Sequence, residues 1–250
     1  MVWVWMENHG YNEVLNSGQA PYINSLASTY GLATNYYATD HPSLPNYIEA
    51  TSGSSQGIAD DNGPSSHPVG APSIFSQLPG GQSRSLEEGM PSSCYGSDSG
   101  EYAVHHDPMA YYTNLRPDCS SFDVPFGSSP DVSAKFTLIT PNVIDDMHDG
   151  TIAQGDAFLQ SYIPELQATP QYKAGNTVIF VVWDEDGSGG GGPNESNHVI
   201  CLVISAHTHG VADATPYTHY SLLRTTEELL GLPLLGNAAS ATSMLGHFGF

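Results

Sequence analysis

Basic side chains are what this chain lacks. Its 250 residues hold only 5 Lys and Arg against 26 Asp and Glu, for a formal charge of −21 at pH 7. Arg84, Arg116, Lys135, Lys173 and Arg224 are scattered, with no patch or stripe. That excludes nucleic acid and anionic membrane surfaces as natural partners. The acidic count is ordinary for the length, so the shortage of base is the signal. Halophilic adaptation raises the acidic count itself. A secreted protein working at moderately low pH, where carboxylates and histidines carry more protons, fits the composition better.

Long apolar runs are also missing. No stretch of about 18 apolar residues exists, so no stable membrane insertion is expected. The opening Met1-Val2-Trp3-Val4-Trp5 reads as a strand and not as a charged-then-apolar signal peptide. The expectation is a secreted or periplasmic protein whose export signal has been removed. Cysteines are few. Cys94 and Cys119 flank a loop-rich stretch, whereas Cys201 sits in the apolar run 199–204. The simplest arithmetic pairs Cys94 with Cys119 and leaves Cys201 buried and free, in keeping with an oxidising compartment.

What is present suffices for one core. The chain is 39% hydrophobic and 10% aromatic, with no internal repeat or composition shift, so a single domain over residues 1–250 is expected. Apolar, β-branched or aromatic runs predict strands at Val2–Met6, Leu32–Tyr37, Phe136–Thr140, Thr177–Trp183 and His198–Ser205. Helical patterns lie at Pro21–Tyr30 closed by Gly31, Leu44–Ser52 closed by Gly53, Ala157–Gln167 behind an N-cap at Asp156, and Ser221–Leu230 closed by Gly231. Strands alternating with such helices predict an α/β fold with a mostly parallel sheet covered on both sides. Two polar stretches, Ser54–Ser73 and Gly89–Pro130, are long enough to be functional or tied down.

In an open parallel sheet the ligand site lies beyond the carboxyl ends of the strands. Here those ends are acidic: Glu7-Asn8-His9-Gly10 follows the first strand, and Asp184-Glu185-Asp186-Gly187 follows a later one. Pro141-Asn142 and then Asp145-Asp146-Met147-His148-Asp149 follow another. Glu7, Asn8, Asp184 and Glu185 are hard oxygen donors suited to a divalent metal. The plainer reading is polar strand ends facing water. With so few cations, a metal held by carboxylates is the economical way to neutralise phosphoryl charge, so phosphate ester hydrolysis at a divalent ion is the predicted chemistry.

Ser43, in Asp40-His41-Pro42-Ser43-Leu44-Pro45-Asn46-Tyr47, stands where a helix begins. A hydroxyl there faces free backbone N–H groups and the positive dipole end, which suits a nucleophile receiving a phosphoryl group. The same position equally predicts a plain N-cap. Thr39 is a weaker nucleophile. Asn46, one turn on, either donates its amide to a phosphoryl oxygen or solvates the surface. His41, His106, His148 and His198 recur around the presumed strand ends, where imidazoles stabilise phosphoryl charge or protonate a leaving oxygen. Taken singly, a histidine is more often structural. The glycine run 187–192 lacks the Lys-Ser/Thr ending of a phosphate loop and reads as a flexible loop. His207 and His209 have no partner ligands at fitting spacing for zinc.

Several segments together resemble the bacterial phosphoesterases that contain acid phosphatases and non-specific phospholipases C, within the alkaline-phosphatase-like superfamily. They are Met6-Glu7-Asn8-His9, His41-Pro42-Ser43-Leu44-Pro45-Asn46-Tyr47, His106-Asp107-Pro108, Thr140-Pro141-Asn142 with Asp146-Met147-His148-Asp149, Trp183-Asp184-Glu185-Asp186 with Asn197-His198-Val199, and His219-Tyr220-Ser221-Leu222-Leu223-Arg224-Thr225. The resemblance implies a three-layer α/β/α sandwich. It also implies one divalent ion (calcium, magnesium, manganese or zinc) at Glu7, Asn8, Asp184 and Glu185, with Ser43 as metal-bound nucleophile. Asn46, His106 and His148 would bind the phosphoryl group or help the leaving group depart.

Short members with this serine motif look like secreted acid phosphatases, some acting on phosphoinositides. Asp107 departs from the asparagine more usual in such chains. The reading is therefore an acid phosphomonoesterase that forms a phosphoseryl intermediate on Ser43. Its rivals are a phosphodiesterase or phospholipase C using the same site, and a non-catalytic module holding calcium for structure or for a glycan. A sulfatase is disfavoured because no Cys-x-Pro-x-Arg segment stands near Ser43. Oligomeric state is not legible.

Overall fold

The computed structural model describes residues 1–78, 80–188 and 197–250. Residues 189–192 of the glycine run fall outside them. In chain order the elements are β1 (Val2–Met6), α1 (Tyr11–Val14), α2 (Pro21–Thr29), β2 (Gly31–Ala33), β3 (Tyr36–Tyr37), α3 (Ser43–Ser52), α4 (Ile74–Gln77), β4 (Ser83–Glu87), β5 (Asp123–Pro125) and β6 (Phe136–Thr140). There follow α5 (Ile152–Ala168), α6 (Pro170–Lys173), β7 (Val178–Trp183), β8 (His198–Val199), β9 (Cys201–Ser205), β10 (Val211–Asp213), β11 (Tyr217–Thr218) and α7 (His219–Leu230).

Eight strands form the main sheet in the order β10-β2-β9-β7-β1-β6-β4-β5. Among the described residues, β9 alone runs against the rest. Every residue of β1, β6, β7 and β9 is buried, as expected for strands covered on both faces. Side chains alternate along a strand. Trp3 and Trp5 therefore share a face, where Trp3 Nε1 donates to Thr226 Oγ1 of α7 and Trp5 packs on Tyr47 of α3. Helices α3 and α7 pack together as one layer, α2 and α5 as the other. Glu7 continues the odd-numbered register of β1, so its side chain leaves the sheet toward α3.

The predicted run Leu32–Tyr37 is two strands in different sheets. β2 joins the main sheet, while β3 lies between β11 and β8 in a three-stranded one. His198–Ser205 divides likewise around Ile200: Val199 pairs with Tyr36, whereas Cys201 pairs with Val182. Gly31 opens β2 instead of closing a helix. The N-cap of α5 is Thr151, not Asp156. Asp156 is buried inside α5, where its carboxylate accepts the free N–H groups of Tyr22 and Ile23 at 3.2 and 2.8 Å, so it caps α2 from across the layer. Cys94 and Cys119 are bonded, with Cα atoms 5.8 Å apart, and Cys201 is free and buried.

α3 ends as predicted at Gly53, in the left-handed region at φ 79. The backbone of Gly236 closes on it. A Cβ on Gly53 would lie 2.3 Å from the Leu235 carbonyl oxygen, and one on Gly236 would lie 2.4 Å from that of Gly53. Asn237 N donates to the Gly53 carbonyl at 2.9 Å. No described helix is long and apolar enough to cross a membrane.

Candidate active site

The ends of β1, β6 and β7 converge. Glu7 N donates to the Asp146 carbonyl at 2.9 Å and Asp184 N to the Met6 carbonyl at 3.0 Å, so the residues after each strand share one cluster. Asn8 takes a left-handed backbone, φ 45, which directs its N–H to Asp184 Oδ1 at 3.0 Å. Asparagine tolerates that conformation better than most residues. Gly187 is required nearby, because a Cβ there would stand 2.8 Å from the Asn8 carbonyl oxygen.

Ser43 is the first residue of α3, and Pro42 is its N-cap. The hydroxyl does not cap the helix. Instead it donates to Glu7 Oε2 at 3.0 Å and lies 3.5 Å from Asn8 Oδ1. Tyr47, one turn further along the same helix face, donates its hydroxyl to Glu7 Oε1. The Leu44 N–H, expected to be free for an anion, is taken by Asp61 Oδ1 at 2.9 Å.

Burial without a counter-charge governs the electrostatics. Desolvation comes first for each acid. It drives Glu7 well above the carboxylate range, with Asp184 and Asp146 adding repulsion, and raises Asp146 to about 8, Asp184 to about 6 and Glu185 to about 9. Buried polar atoms gather at this point: Asp184 Oδ2 has no hydrogen-bond partner, and Glu185 Oε2 and Asp146 Oδ2 meet only the imidazoles of His41 and His106, whose pKa values burial lowers. Rich in oxygen and without a counter-charge, the set fits a divalent cation. Glu7, His106 and Asp146 also bring ligand atoms within 4.8 Å of one another, as do His105, His106 and His148.

His106 is buried, stacks on Tyr47 at 5.6 Å and lies 3.2 Å from Asp146 Oδ2 and 3.6 Å from Glu7 Oε2. Burial holds its ring neutral, with the pKa lowered to about 3. His148 sits 5.3 Å from it, with Nδ1 2.8 Å from Asp149. Met147 at φ 88 and the His148 N–H bond to Asp146 Oδ1, 2.7 Å, shape that turn.

Three residues expected to contact substrate make these contacts within the chain. Asn46 is wholly buried, and its amide is spent within the loop before α3: Oδ1 accepts from Thr39 N, Thr39 Oγ1 and Asp40 N, while Nδ2 donates to the Asp40 and Pro42 carbonyls. It is a brace. His198 has its ring stacked on Tyr11 and Tyr37 and its Nε2 against the Thr34 carbonyl, so packing consumes it. His41 is drawn onto acids, 2.6 Å from Glu185 Oε2 and 3.7 Å from Asp186 Oδ1.

Two further residues hold the cluster. Tyr47 was quoted in the sequence only as the end of the serine segment, with no role of its own. His219, buried, lies 2.7 Å from the Asp184 carbonyl and 3.0 Å from the Tyr36 hydroxyl. A carbonyl only accepts, so His219 Nε2 carries the proton and Nδ1 accepts from Tyr36. A cavity of about 600 Å³, lined by Met1, Val178 and Phe250 at the other end of the sheet, includes none of these acids.

With the acids, Ser43 and the histidines assembled, the sequence profile of the phosphoesterase family matches residues 3–233. The chain belongs to that family. It is 30% identical over 254 residues to the phosphatidylinositol-3-phosphatase of Mycobacterium tuberculosis, spanning 97% of this chain and 80% of that one. It is 27% identical to the acid phosphatase of Aspergillus fumigatus, spanning 93% of this chain and 55% of that one. A solved protein of the alkaline phosphatase superfamily from Vibrio parahaemolyticus superposes with a TM-score of 0.61 at 12% identity, over 96% of this chain and 69% of that one. This likeness establishes a shared fold: an α/β architecture around a large, mostly parallel sheet.

Proposed function

We propose that this phosphoesterase is a metal-dependent acid phosphatase that hydrolyses phosphate monoesters through a phosphoserine on Ser43. Membership of the family and the named phosphatases among its relatives support the phosphoric ester hydrolase class. The observation that carries the site assignment is the hydrogen bond from Ser43 Oγ to Glu7 Oε2 amid buried acids that have no counter-charge. Glu7, Asn8, Asp184 and Glu185 would hold the divalent ion, with Ser43 beside it. Such an ion would supply the positive charge for the phosphoryl oxygens that the few basic side chains of this chain do not.

The proton of Ser43 leaves along its bond to Glu7 Oε2 as Oγ attacks phosphorus and the ester oxygen departs. Water then cleaves the phosphoserine and restores the hydroxyl. His106 and His148 face the transferring group and its leaving oxygen. Tyr47, Asn46 and His219 hold Glu7, the loop before Ser43 and the Asp184 backbone. A secreted or periplasmic setting belongs to the same reading and is supported by the Cys94–Cys119 disulfide.

The test is hydrolysis of p-nitrophenyl phosphate, its bis ester and a phosphatidylinositol 3-phosphate across pH, with chelator and with calcium, magnesium, manganese or zinc restored. Chelator-sensitive turnover of the monoester but not the bis ester is expected, with phosphoserine trapped at low pH. Turnover of the bis ester alone would replace this reading with a phosphodiesterase. No metal-restored turnover of any ester would leave a binding module.

A further inference from the structure

A second group of carboxylates is buried at the sheet edge beside the strand-end site. Glu87 ends β4, Asp123 opens β5, and Asp107 precedes the short helix Pro108–Tyr111. One oxygen of each lies within 4.8 Å of the others, and all three residues are at most 1% exposed. The sheet register puts them together, since Ser85 pairs with Asp123, and Glu87 with Thr140.

Two of the three are fixed from outside. Glu87 Oε1 accepts from Ser85 Oγ at 2.6 Å and Thr140 Oγ1 at 3.4 Å. Asp107 accepts from the Tyr102 hydroxyl at 2.9 Å and Met109 N at 3.1 Å. Asp123 is different. Both of its oxygens are buried without any hydrogen-bond partner, and its carboxylate is turned into the other two. No Lys, Arg or His forms an ion pair with any of the three among the described residues. Carboxylates forced together out of water stay ionised only if a cation sits between them, and otherwise one of them must hold a proton.

We propose that Glu87, Asp107 and Asp123 bind a second divalent cation, calcium, at a structural site separate from the strand-end one. The donors are all oxygen, with no imidazole or thiolate to favour zinc. Three carboxylates supply up to six ligand atoms, and burial leaves little room for the waters that magnesium retains. A cleft of about 220 Å³, lined by Asp123, Arg116, Cys94 and Cys119, lies beside the group. The ion has a positioning consequence. Thr140 Oγ1 reaches both Glu87 Oε1 and the His106 carbonyl, 3.3 Å, so the site ties the segment carrying His106 to the sheet.

This proposal does not rest on the phosphatase reading. Its test uses the full chain with the strand-end site disabled by Asp184→Asn and Glu185→Gln. That protein, dialysed against calcium, is expected to retain one calcium per chain by mass spectrometry. Its Tm should fall by several degrees with chelator, and terbium luminescence sensitised through Tyr102 should appear. Adding Asp123→Asn, or Glu87→Gln should that variant not fold, is expected to remove all three signals. Retention of calcium after either substitution, or no calcium and no Tm response before it, overturns the proposal. So does an Arg116→Gln variant that loses as much Tm as chelation with no calcium bound, since Arg116 would then be the counter-charge.

Discussion

The two oxygens of Glu7 are shared between Ser43 and Tyr47, residues one helical turn apart on α3. The Ser43 hydroxyl is thereby held against the acid that is best placed to take its proton. Ser43→Ala should lower turnover of p-nitrophenyl phosphate by at least about 10³-fold, the scale seen when a nucleophile is deleted. Metal content and Tm should stay near wild type, because only one hydroxyl is lost. Residual turnover above a tenth of wild type would remove Ser43 from the chemistry.

Tyr47→Phe tests the other oxygen. It leaves Glu7 Oε1 buried without its donor, a loss of about 1–3 kcal/mol in the metal-free protein. Chemical denaturation in the presence of chelator should register that loss, and bound cation should offset part of it. A variant as stable as wild type under chelator would show that Tyr47 contributes nothing to holding the acid.

Asn46→Ala and His198→Phe separate brace from contact. Asn46→Ala strands the buried Thr39 N–H and the part-buried Asp40 N–H, so unfolding free energy should drop by about 3 kcal/mol. His198→Phe preserves the ring between Tyr11 and Tyr37, so KM and kcat should remain within about twofold of wild type. A large rise in KM for His198→Phe would restore it as a substrate ligand.

Titration predicts how the chelated protein responds to pH. Glu185 and Asp123 are raised to about 9, and Asp146 and Glu227 to about 8, in each case first by desolvation. Folded protein then binds more protons than unfolded protein between the ordinary carboxylate range and those values, so stability falls as pH rises. His106, lowered to about 3, and His219, lowered to about 4, work in the opposite sense below the free imidazole value of about 6.5. Tm without metal should therefore be higher at pH 5 than at pH 8, with the steeper fall above about 6.5. Saturating calcium should flatten the curve. A chelated protein more stable at pH 8 than at pH 5 would contradict the buried, uncompensated acids.

The sheet was legible where strands are buried on both faces, because Val178–Trp183 and Phe136–Thr140 are continuous runs of apolar or β-branched residues. β4 escaped notice because Ser83-Arg84-Ser85-Leu86-Glu87 lies near the sheet edge and spends its serines and glutamate on buried hydrogen bonds. The acids Glu7, Asp184 and Glu185 were legible from strand-end position alone. Partner choice was not. Nothing in local sequence says that Asn46 binds its own loop, that Asp156 caps a helix in front of it by more than a hundred residues, or that His198 stacks. Those assignments depend on which loops the fold brings together.

The meeting of Gly53 with Gly236 makes the far end of the chain part of the active-site scaffold. The helix that begins at Ser43 finishes against a backbone segment almost two hundred residues later, with no side chain between them. Protein engineers should therefore find position 236 closed to every residue with a β-carbon. Neither glycine's replacement can rescue the other, since each would strike main chain.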